Sequence, residues 1–393
     1  MVHISPFHVE QWMDEYETTP GVLNAAETCC SSISVNDLKK IAGDDSSSSP
    51  VDFSTRLTYG AISGSDELRS NIASLYDGEA AVSPKSVLVM QGAISANNLV
   101  LYSLVGPGDH VICVFPTYQQ LYSIPQSLGA EVSLWKLQEK DAWIPDVTAL
   151  KGLISKNTKM IIINNPNNPT GAVIPSDVLS EIVKVAREHD LILFSDEVYR
   201  PLFHNLPQNQ APAPSVLSMG YDKVVVTSSM SKAWALAGIR VGWVASPHAT
   251  IIETLARARD YTTISVSQID DQIARYALSP KVRPALIARN LELARTNLDL
   301  LDKFVQEHAG AVSWVKPHAG TTAFLQVKMN GQPVDDVKFC EDLIRETKVM
   351  LVPGSKCFGD GDEFKGYVRM GYVCETDVLR EALAKLGDYI TKP

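Results

Sequence analysis

The segment from Ser228 to Trp243, SSMSKAWALAGIRVGW, places two cations in a run of small and apolar residues. Lys232 follows Ser229 by three residues and precedes Arg240 by eight. A lysine that apolar neighbours desolvate has a lowered pKa, so its free amine can attack a carbonyl carbon and form a Schiff base. The alternative is a lysine with a buried stem and a solvated amine. Ser229 and Arg240 favour the first interpretation, because hydroxyl and guanidinium groups donate charge-assisted hydrogen bonds to phosphate.

Two further motifs suit a ligand with a phosphate and a ring nitrogen. In MQGAISANN (Met90–Asn98), a strand, a turn and a helix start follow one another, and the backbone amides of Ala93 and Ile94 could bind a phosphate. In FSDEVYR (Phe194–Arg200), Asp196 ends an apolar strand, and a buried carboxylate requires a partner such as a protonated ring nitrogen. Taken singly, the first could be an ordinary turn and the second an ordinary helix N-cap.

Seven apolar runs between Val87 and Ala245 alternate with amphipathic segments, which predicts a mostly parallel sheet with helices on both faces. Most of the runs are unbroken and rich in β-branched residues, as in strands that are buried on both faces. The predicted strands are SVLVM, HVICVF, EVSLWKL, KMIIINN, LILFSDEV, KVVVTS and IRVGWVA. The helices between them are ISANNLVLYSLV, TYQQLYSIPQSLG and SDVLSEIVKVAREHD, the last with Ser176 and Asp177 as candidate N-caps.

The residues with chemical potential follow the ends of these strands. NNPNNPTG (Asn164–Gly171) follows one strand, Asp196 and Tyr199 follow another, and Ser229 and Lys232 follow a third. In an open parallel sheet, ligands bind beyond the carboxyl ends of the strands. We therefore expect residues that are far apart in the sequence to meet in one crevice.

In order and spacing, these motifs resemble those of the fold type I pyridoxal-phosphate enzymes, within the aminotransferase class I/II family. The likeness extends from about Tyr59 to Arg369, and the joint match is far more specific than any motif alone. The matching residues are Asn168-Pro169-Thr170-Gly171, Asp196-x-x-Tyr199 and Ser229-x-x-Lys232 with Arg240. The resemblance implies an α/β fold like that of aspartate aminotransferase, with a mostly parallel seven-stranded sheet and a smaller α/β domain, and pyridoxal 5′-phosphate as the cofactor.

The resemblance also implies roles around the cofactor ring. Lys232 would hold the cofactor aldehyde as an internal aldimine and later move protons. Asp196 would pair with the pyridinium nitrogen and keep it protonated, so that the ring can accept electrons. Asn168 and Tyr199 would hydrogen-bond the phenolic oxygen of the ring. Tyr118, in FPTYQQ, would stack on the ring; the alternative is a core aromatic after a strand.

Further implied roles concern the phosphate and the substrate. The groups expected to hold the phosphate are Ser229, Arg240 and the amides of Ala93 and Ile94. Tyr59 would reach the phosphate of a neighbouring subunit, which implies a homodimer with shared active sites. Arg369, with Asn168 nearby, would bind the α-carboxylate of an L-α-amino acid. Glu27 could meet a cationic substrate side chain, or it could be an ordinary solvated glutamate.

The resemblance extends to domain organisation. The sequence predicts an N-terminal segment (residues 1–48) that packs with the small domain and over the active site. It predicts a large cofactor-binding domain over residues 49–285. A small C-terminal domain over residues 286–393 would contain the strand-like runs VSWVKP, TTAFLQVK, VMLVPG and YVRMGYV.

The sequence leaves two kinds of reaction open. The residues around the cofactor do not distinguish amino transfer from elimination or ring closure, and amino transfer is the leading prediction. Several segments also resemble the capreomycidine synthase branch, whose members cyclise a hydroxylated arginine by elimination and addition, although NAAETCCSSIS (Asn24–Ser34) departs from that branch. The matching segments are ISPFHVEQWMDEYE, RARDYTTISVSQ, AGTTAF and VMLVPGSKCFG. A non-catalytic relative is a remote alternative. Such a protein would be expected to lack Lys232 or Asp196, and both residues are present.

Composition excludes several other classes. The net charge of −10 offers no basic surface for nucleic acid or anionic lipid. No apolar run reaches the roughly 18 residues of a membrane span, and no secretory signal is evident. The six cysteines have no CxxC spacing, which disfavours a disulfide framework and a zinc site and indicates a reducing, cytoplasmic location. A nucleotide-binding oxidoreductase would be expected to have a GxGxxG motif after its first strand, and the chain lacks this motif.

Overall fold

The computed structural model describes residues 4–43, 49–76, 82–208, 210–359 and 362–392. The boundary predicted between residues 48 and 49 therefore lies beside a stretch outside the described residues. Across the part of the chain that the structure describes, no helix combines the length and the apolar character that a membrane crossing requires.

Helices and strands alternate along most of the chain. The α-helices are α1 (His8–Tyr16), α2 (Val35–Ile41), α3 (Asp66–Ala73), α4 (Gly92–Leu104), α5 (Gln120–Ser127), α6 (Val147–Leu153), α7 (Ser176–Glu188), α8 (Ala249–Arg259), α9 (Gln268–Ala277), α10 (Arg283–Glu307), α11 (Asp336–Thr347), α12 (Gly354–Phe358) and α13 (Thr376–Ile390). The strands are β1 (Leu23–Asn24), β2 (Val87–Met90), β3 (His110–Phe115), β4 (Glu131–Lys136), β5 (Thr158–Asn164), β6 (Ile192–Asp196), β7 (Val224–Ser229), β8 (Gly242–Ala245), β9 (Val312–Trp314), β10 (Thr322–Met329), β11 (Gln332–Pro333), β12 (Val349–Met350), β13 (Val352–Pro353) and β14 (Tyr367–Gly371). Short 3-10 helices cover Pro84–Ser86, Glu139–Asp141, Val216–Ser218 and Ala237–Ile239.

The large sheet has seven strands in the order β2-β8-β7-β6-β5-β3-β4. The strands from β7 to β4 pair in parallel, and β8 pairs antiparallel with both β2 and β7. Every residue of β3 and β7 is buried, whereas β4 at the sheet edge is partly exposed. The predicted mostly parallel seven-stranded sheet is thus confirmed, and its unbroken apolar runs correspond to strands covered on both faces.

A second, antiparallel sheet follows α10. Its strands run in the order β11-β10-β14-β13, and β9 also pairs with β10. Helix α10 begins at Arg283, so the boundary predicted between residues 285 and 286 falls in its first turn. The predicted strand VMLVPG is divided at Leu351, because β12 pairs with β1 while β13 pairs with β14.

The N-terminal segment runs between this second sheet and the lysine segment of the large sheet. The backbone amide of Gly371 donates to the carbonyl of Ala25, and that of Ser31 donates to Val373. Between them, the amide of Cys30 donates to the carbonyl of Lys232. This segment therefore connects the two sheets at the place where Lys232 emerges.

The start of α7 differs from the expectation. Ser176 and Asp177 were predicted as N-caps, but they are the first two helical residues, and Pro175 occupies the capping position without a side-chain hydrogen bond. The fixed φ of Pro175, −60°, already suits the start of a helix, so no side-chain oxygen is needed to direct the chain. Asp177 still lies in the first turn, where a negative charge stabilises the helix dipole.

Two glycines let α4 approach β8 and Arg240 closely. A Cβ atom on Gly242 would lie 2.7 Å from the amide nitrogen of Ala93. A Cβ atom on Gly92, whose φ is +75°, would lie 2.5 Å from Nη2 of Arg240. Only glycine fits at either position without displacing its neighbours. The start of α4 and the Arg240 side chain are thereby brought together at one edge of the sheet.

Candidate active site

A cavity of about 620 Å³ opens beside the carboxyl ends of β5, β6 and β7. Asn164 and Asp196 end two of these strands and lie directly opposite each other in the strand pairing. Eleven of the residues singled out from the sequence line this one cavity, as the strand-end argument predicts. They are Glu27, Ala93, Ile94, Tyr118, Asn168, Asp196, Tyr199, Ser229, Lys232, Arg240 and Arg369.

Tyr59 is the one predicted residue that does not line the cavity. Its side chain is 79% exposed on the outside of the chain. Within a single copy of the protein, Tyr59 therefore lies outside this cavity.

The Lys232 amine contacts the N-terminal segment. Nζ donates a hydrogen bond to Oγ1 of Thr28 and lies 3.6 Å from Sγ of Cys29 and 3.8 Å from Oε1 of Glu27. Burial alone would lower the pKa of Lys232, but the neighbouring Cys29, Tyr199 and Glu27 outweigh burial and raise the pKa above its ordinary value. The sequence-based expectation of a lowered pKa is therefore wrong, because it could not include Cys29 and Glu27, which lie in a segment more than 200 residues earlier.

Asp196 is buried beneath the cavity and held by hydrogen bonds. Nδ2 of Asn97 donates to one carboxylate oxygen at 3.0 Å, and the amide of Val198 donates to the other at 3.2 Å. Burial raises the pKa of Asp196 to about 6, although these two hydrogen bonds act in the opposite direction. A buried carboxylate of this kind is stabilised by a cationic partner, such as a protonated ring nitrogen.

Asn97 is the main site residue that the sequence reasoning missed. Its side chain is 1% exposed, and its Oδ1 atom accepts a hydrogen bond from Oγ1 of Thr227 at 2.6 Å. Its Nδ2 atom also contacts Oε1 of Gln120. Asn97 thus fixes the orientation of Asp196 from helix α4. The sequence offered little signal for Asn97, because the predicted helix ISANNLVLYSLV also contains the polar residues Ser95, Asn98 and Ser103.

Positive groups gather where α4 begins. Arg240 adopts a left-handed backbone conformation with φ of +50°, and its Nη1 atom donates to Oγ of Ser231 at 3.3 Å. The side chain lies against Gly92, beside the free amides at the start of the 13-residue helix α4. A guanidinium group next to the positive end of a helix is unfavourable unless an anion lies between or beside them. With the hydroxyl of Ser229 on the same wall, this cradle fits a phosphate dianion.

Arg369 supplies a second buried cation at the cavity wall. It is 3% exposed, Nη1 lies 3.3 Å from Oδ1 of Asn168, and Nη2 donates to the carbonyl of Ala26 at 3.0 Å. Its Nε atom has no hydrogen-bond partner among the described residues. The guanidinium group also lies 5.3 Å from the ring centroid of Phe358. A carboxylate ligand would satisfy this incompletely paired group.

Two tyrosines border the space between these groups. Tyr199 is buried, and Gly320 lies against its ring so closely that a Cβ atom there would be 3.5 Å away. Tyr118 donates a hydrogen bond from its hydroxyl to Oε1 of Glu10 at 2.7 Å, and its ring centroid is 5.0 Å from that of Phe7. Helix α1 and the residues before it therefore form the outer wall of the cavity.

The cavity combines an amine, a buried carboxylate, an anion cradle and a second guanidinium. These donors fit pyridoxal 5′-phosphate and an amino acid, because the cofactor has an aldehyde, a ring nitrogen and a phosphate, and the substrate has a carboxylate. No group of three or more His, Cys, Asp or Glu side chains suited to a metal ion occurs among the described residues.

This fold and this donor set define a pyridoxal-phosphate-dependent enzyme of the aspartate aminotransferase fold. The family model for aminotransferase class I and II matches residues 36–386. The chain therefore belongs to the aminotransferase class I and II family, and its cofactor is pyridoxal 5′-phosphate.

Individual proteins that are similar to the chain have different activities. It is 29% identical over 302 residues to capreomycidine synthase of Streptomyces vinaceus, covering 77% of this chain and 74% of that protein. It is 30% identical over 313 residues to an aspartate aminotransferase of Thermotoga maritima, covering 79% and 76%. A pyridoxal-phosphate-dependent aminotransferase structure from Streptococcus suis 89-1591 superposes with a TM-score of 0.89 at 39% identity, over 99% of both chains. The similarity therefore includes aminotransferases and a synthase.

The buried charge of Asp196 predicts a stability effect in the cofactor-free protein. Burial raises the folded-state pKa from 3.8 to about 6, so the ionised carboxylate destabilises the fold, and this cost grows as pH rises between those values and stays constant above them. Asp196→Asn should therefore raise the melting temperature of the cofactor-free protein at pH 8 by a few degrees and leave it nearly unchanged at pH 4. The gain is roughly 3 kcal/mol at most.

The matched control is Asp222→Asn, which changes an exposed carboxylate. Its effect on the melting temperature at pH 8 should be small, because water solvates this carboxylate in the folded protein. An Asp196→Asn protein that melts at or below the wild-type temperature at pH 8 would contradict the account of a desolvated charge.

Proposed function

We propose that the protein transfers the amino group of an L-α-amino acid to a 2-oxo acid. The observation that supports this most is that Lys232, Asp196 and Arg369 line the same cavity. An amine that can hold the cofactor and a guanidinium that can hold a carboxylate are both required for a reaction at the α-carbon of an amino acid. Arg369 also donates a hydrogen bond to Asn168, and this contact connects the residue proposed to bind the substrate carboxylate with one proposed to bind the cofactor.

Different residues would hold different parts of the cofactor. When bound, pyridoxal phosphate withdraws electrons from the carbon that bears the substrate amino group. Asp196 would hold a proton on the ring nitrogen, and Asn168 and Tyr199 would bind the phenolic oxygen. Tyr118 would lie against the ring. The phosphate would be held by Ser229, Arg240 and the backbone amides of Ala93 and Ile94.

Lys232 would act as the base that removes the proton from the substrate Cα atom. Displacement of Lys232 from the cofactor by the substrate amino group would leave it as a neutral amine, and Oγ1 of Thr28, which accepts a hydrogen bond from Nζ, would hold this amine in position. Arg369 would orient the substrate by a bidentate contact with the α-carboxylate. The carboxylate position then determines which substituent of Cα faces the lysine.

We also propose that the active unit is a homodimer in which Tyr59 serves the partner's site. Tyr59 is one of several large apolar residues that the described part of the chain leaves exposed, and exposed apolar residues favour contact with a second copy. Those that are more than half exposed are Ile4, Phe53, Leu57, Tyr59, Tyr102 and Tyr261. Ile94 and Tyr102 line a groove on the outside of the chain, and Ile94 also lines the active cavity, so a second copy seated in this groove would adjoin the phosphate cradle.

Single-turnover chemistry tests the reaction. The holoenzyme is mixed with individual amino acids in the absence of any 2-oxo acid, and product and cofactor are identified by mass spectrometry. We expect one equivalent of a 2-oxo acid together with pyridoxamine phosphate. A cyclised or dehydrated product with regenerated pyridoxal phosphate would contradict amino transfer and favour the cyclase or eliminase reaction, which the similarity to capreomycidine synthase makes the second candidate.

Hybrid dimers test the shared site. Tyr59→Phe alone should weaken pyridoxal phosphate binding about tenfold, because one hydrogen bond to a charged group is lost. When this variant is paired with Lys232→Ala subunits, the lysine-bearing site of each hybrid faces an intact Tyr59 of the partner. Its cofactor affinity should therefore return to the wild-type value. An affinity that stays weakened in the hybrid would show that Tyr59 acts within its own chain or not at all.

A further inference from the structure

The outer wall of the active cavity carries four carboxylates. Glu10 and Asp14 are one helical turn apart on α1, and Glu17 follows at the end of this helix on the same face. Glu27 joins them from the segment after β1. We call these four residues the acidic wall. Of the four, only Glu27 was singled out from the sequence; the other three lie in ISPFHVEQWMDEYE, which was noted only as a segment resembling the capreomycidine synthase branch.

The charges of the acidic wall are mostly unpaired. Burial raises the pKa of Glu17, and the negative charges of Glu27, Glu10 and Asp14 raise it further, so each of these three carboxylates lies close enough to repel that of Glu17. Within the described residues, Glu10, Asp14 and Glu17 form no ion pair, and Glu27 has one partner, Lys232 at 3.8 Å. This repulsion is unfavourable, and a cation in front of the wall would relieve it.

An independent feature of the same cavity points to a ligand that carries a carboxylate. Arg369 is almost fully buried and keeps an Nε atom without a partner among the described residues. A substrate whose carboxylate is bound to Arg369 has its α-carbon near Lys232, and its side chain must extend into the remaining space of the cavity. The acidic wall borders that space together with Met13.

We propose that the acidic wall binds the positively charged side chain of the substrate, so that the preferred substrates are L-α-amino acids with a terminal guanidinium or amine. This inference rests on the proposed function and specifies its substrate class. Carboxylates accept charge-assisted hydrogen bonds from such groups, with a guanidinium able to contact two at once. The same wall repels an acidic side chain, so aspartate and glutamate are poor substrates.

Unreactive analogues isolate the effect of charge. The compounds 5-guanidinopentanoate and 5-ureidopentanoate have the same length and the same carboxylate, lack the α-amino group, and differ in whether the far end is charged. Calorimetric titration of the holoenzyme should show that the guanidino compound binds at least about tenfold more tightly. The difference should shrink at high salt, since the wall lies near the mouth of the cavity. Equal binding of the two compounds would overturn the proposal.

Substitutions in the acidic wall test whether its carboxylates cause the tighter binding of the guanidino compound. Glu17→Gln and Glu27→Gln should each weaken binding of the guanidino compound several-fold and leave the ureido compound nearly unaffected. Glu15→Gln is the matched control, because Glu15 lies on the same helix, is exposed and does not line the cavity. A loss that is equal for both compounds, or equal in Glu15→Gln, would indicate altered packing of α1 and contradict a charge contact.

Turnover separates this inference from the proposed function. L-arginine and its neutral counterpart L-citrulline are compared with L-aspartate as amino donors under single-turnover conditions. Amino transfer that is equally fast with citrulline or aspartate would overturn the acidic-wall proposal and leave the proposed function standing. Charge-selective binding of the analogues without formation of any 2-oxo acid would support the wall and contradict amino transfer.

Discussion

The site depends on keeping charged groups out of water at one edge of a parallel sheet. Asp196, Lys232 and Arg369 all lie in or beneath the cavity, and each of them would be costly to bury alone. Each is therefore fixed by polar partners from another part of the chain: Asn97 for Asp196, Thr28 for Lys232, and the carbonyl of Ala26 for Arg369. The remaining imbalance is what a cofactor with a ring nitrogen and a phosphate, and a substrate with a carboxylate, would neutralise.

Much of this arrangement could be predicted from the sequence, because parallel strands bring their carboxyl ends together. Asp196 and Ser229 end neighbouring strands of the sheet, and their motifs could be placed from the apolar runs alone. The partners could not be predicted in the same way. Thr28 meets Lys232 across 204 residues, and Asn97 meets Asp196 across 99, and no local pattern encodes either contact. For the same reason the direction of the Lys232 pKa shift was wrong.

The N-terminal segment distinguishes the substrate side of the cavity from its cofactor side. The cofactor side is built from strand ends and from the start of α4, which are fixed by close packing at Gly92 and Gly242. The other side is built from α1 and from residues after β1, which supply Glu10 and Glu27, and it would receive the substrate side chain under the proposed function. This division explains why the cofactor motif could be recognised in the sequence, whereas the preference for a particular substrate side chain could not. It also explains how relatives at about 30% identity can share a cofactor and differ in substrate or reaction.

The central claim is that Lys232 holds the cofactor, and chemical trapping tests it most directly. The protein is incubated with pyridoxal phosphate, reduced with borohydride and digested, and the modified peptide is sequenced by mass spectrometry. The account predicts one cofactor per chain, attached to Lys232, and no attachment at this position in Lys232→Arg. Stoichiometric attachment to a different lysine, with Lys232 unmodified, would contradict the assignment of the active site.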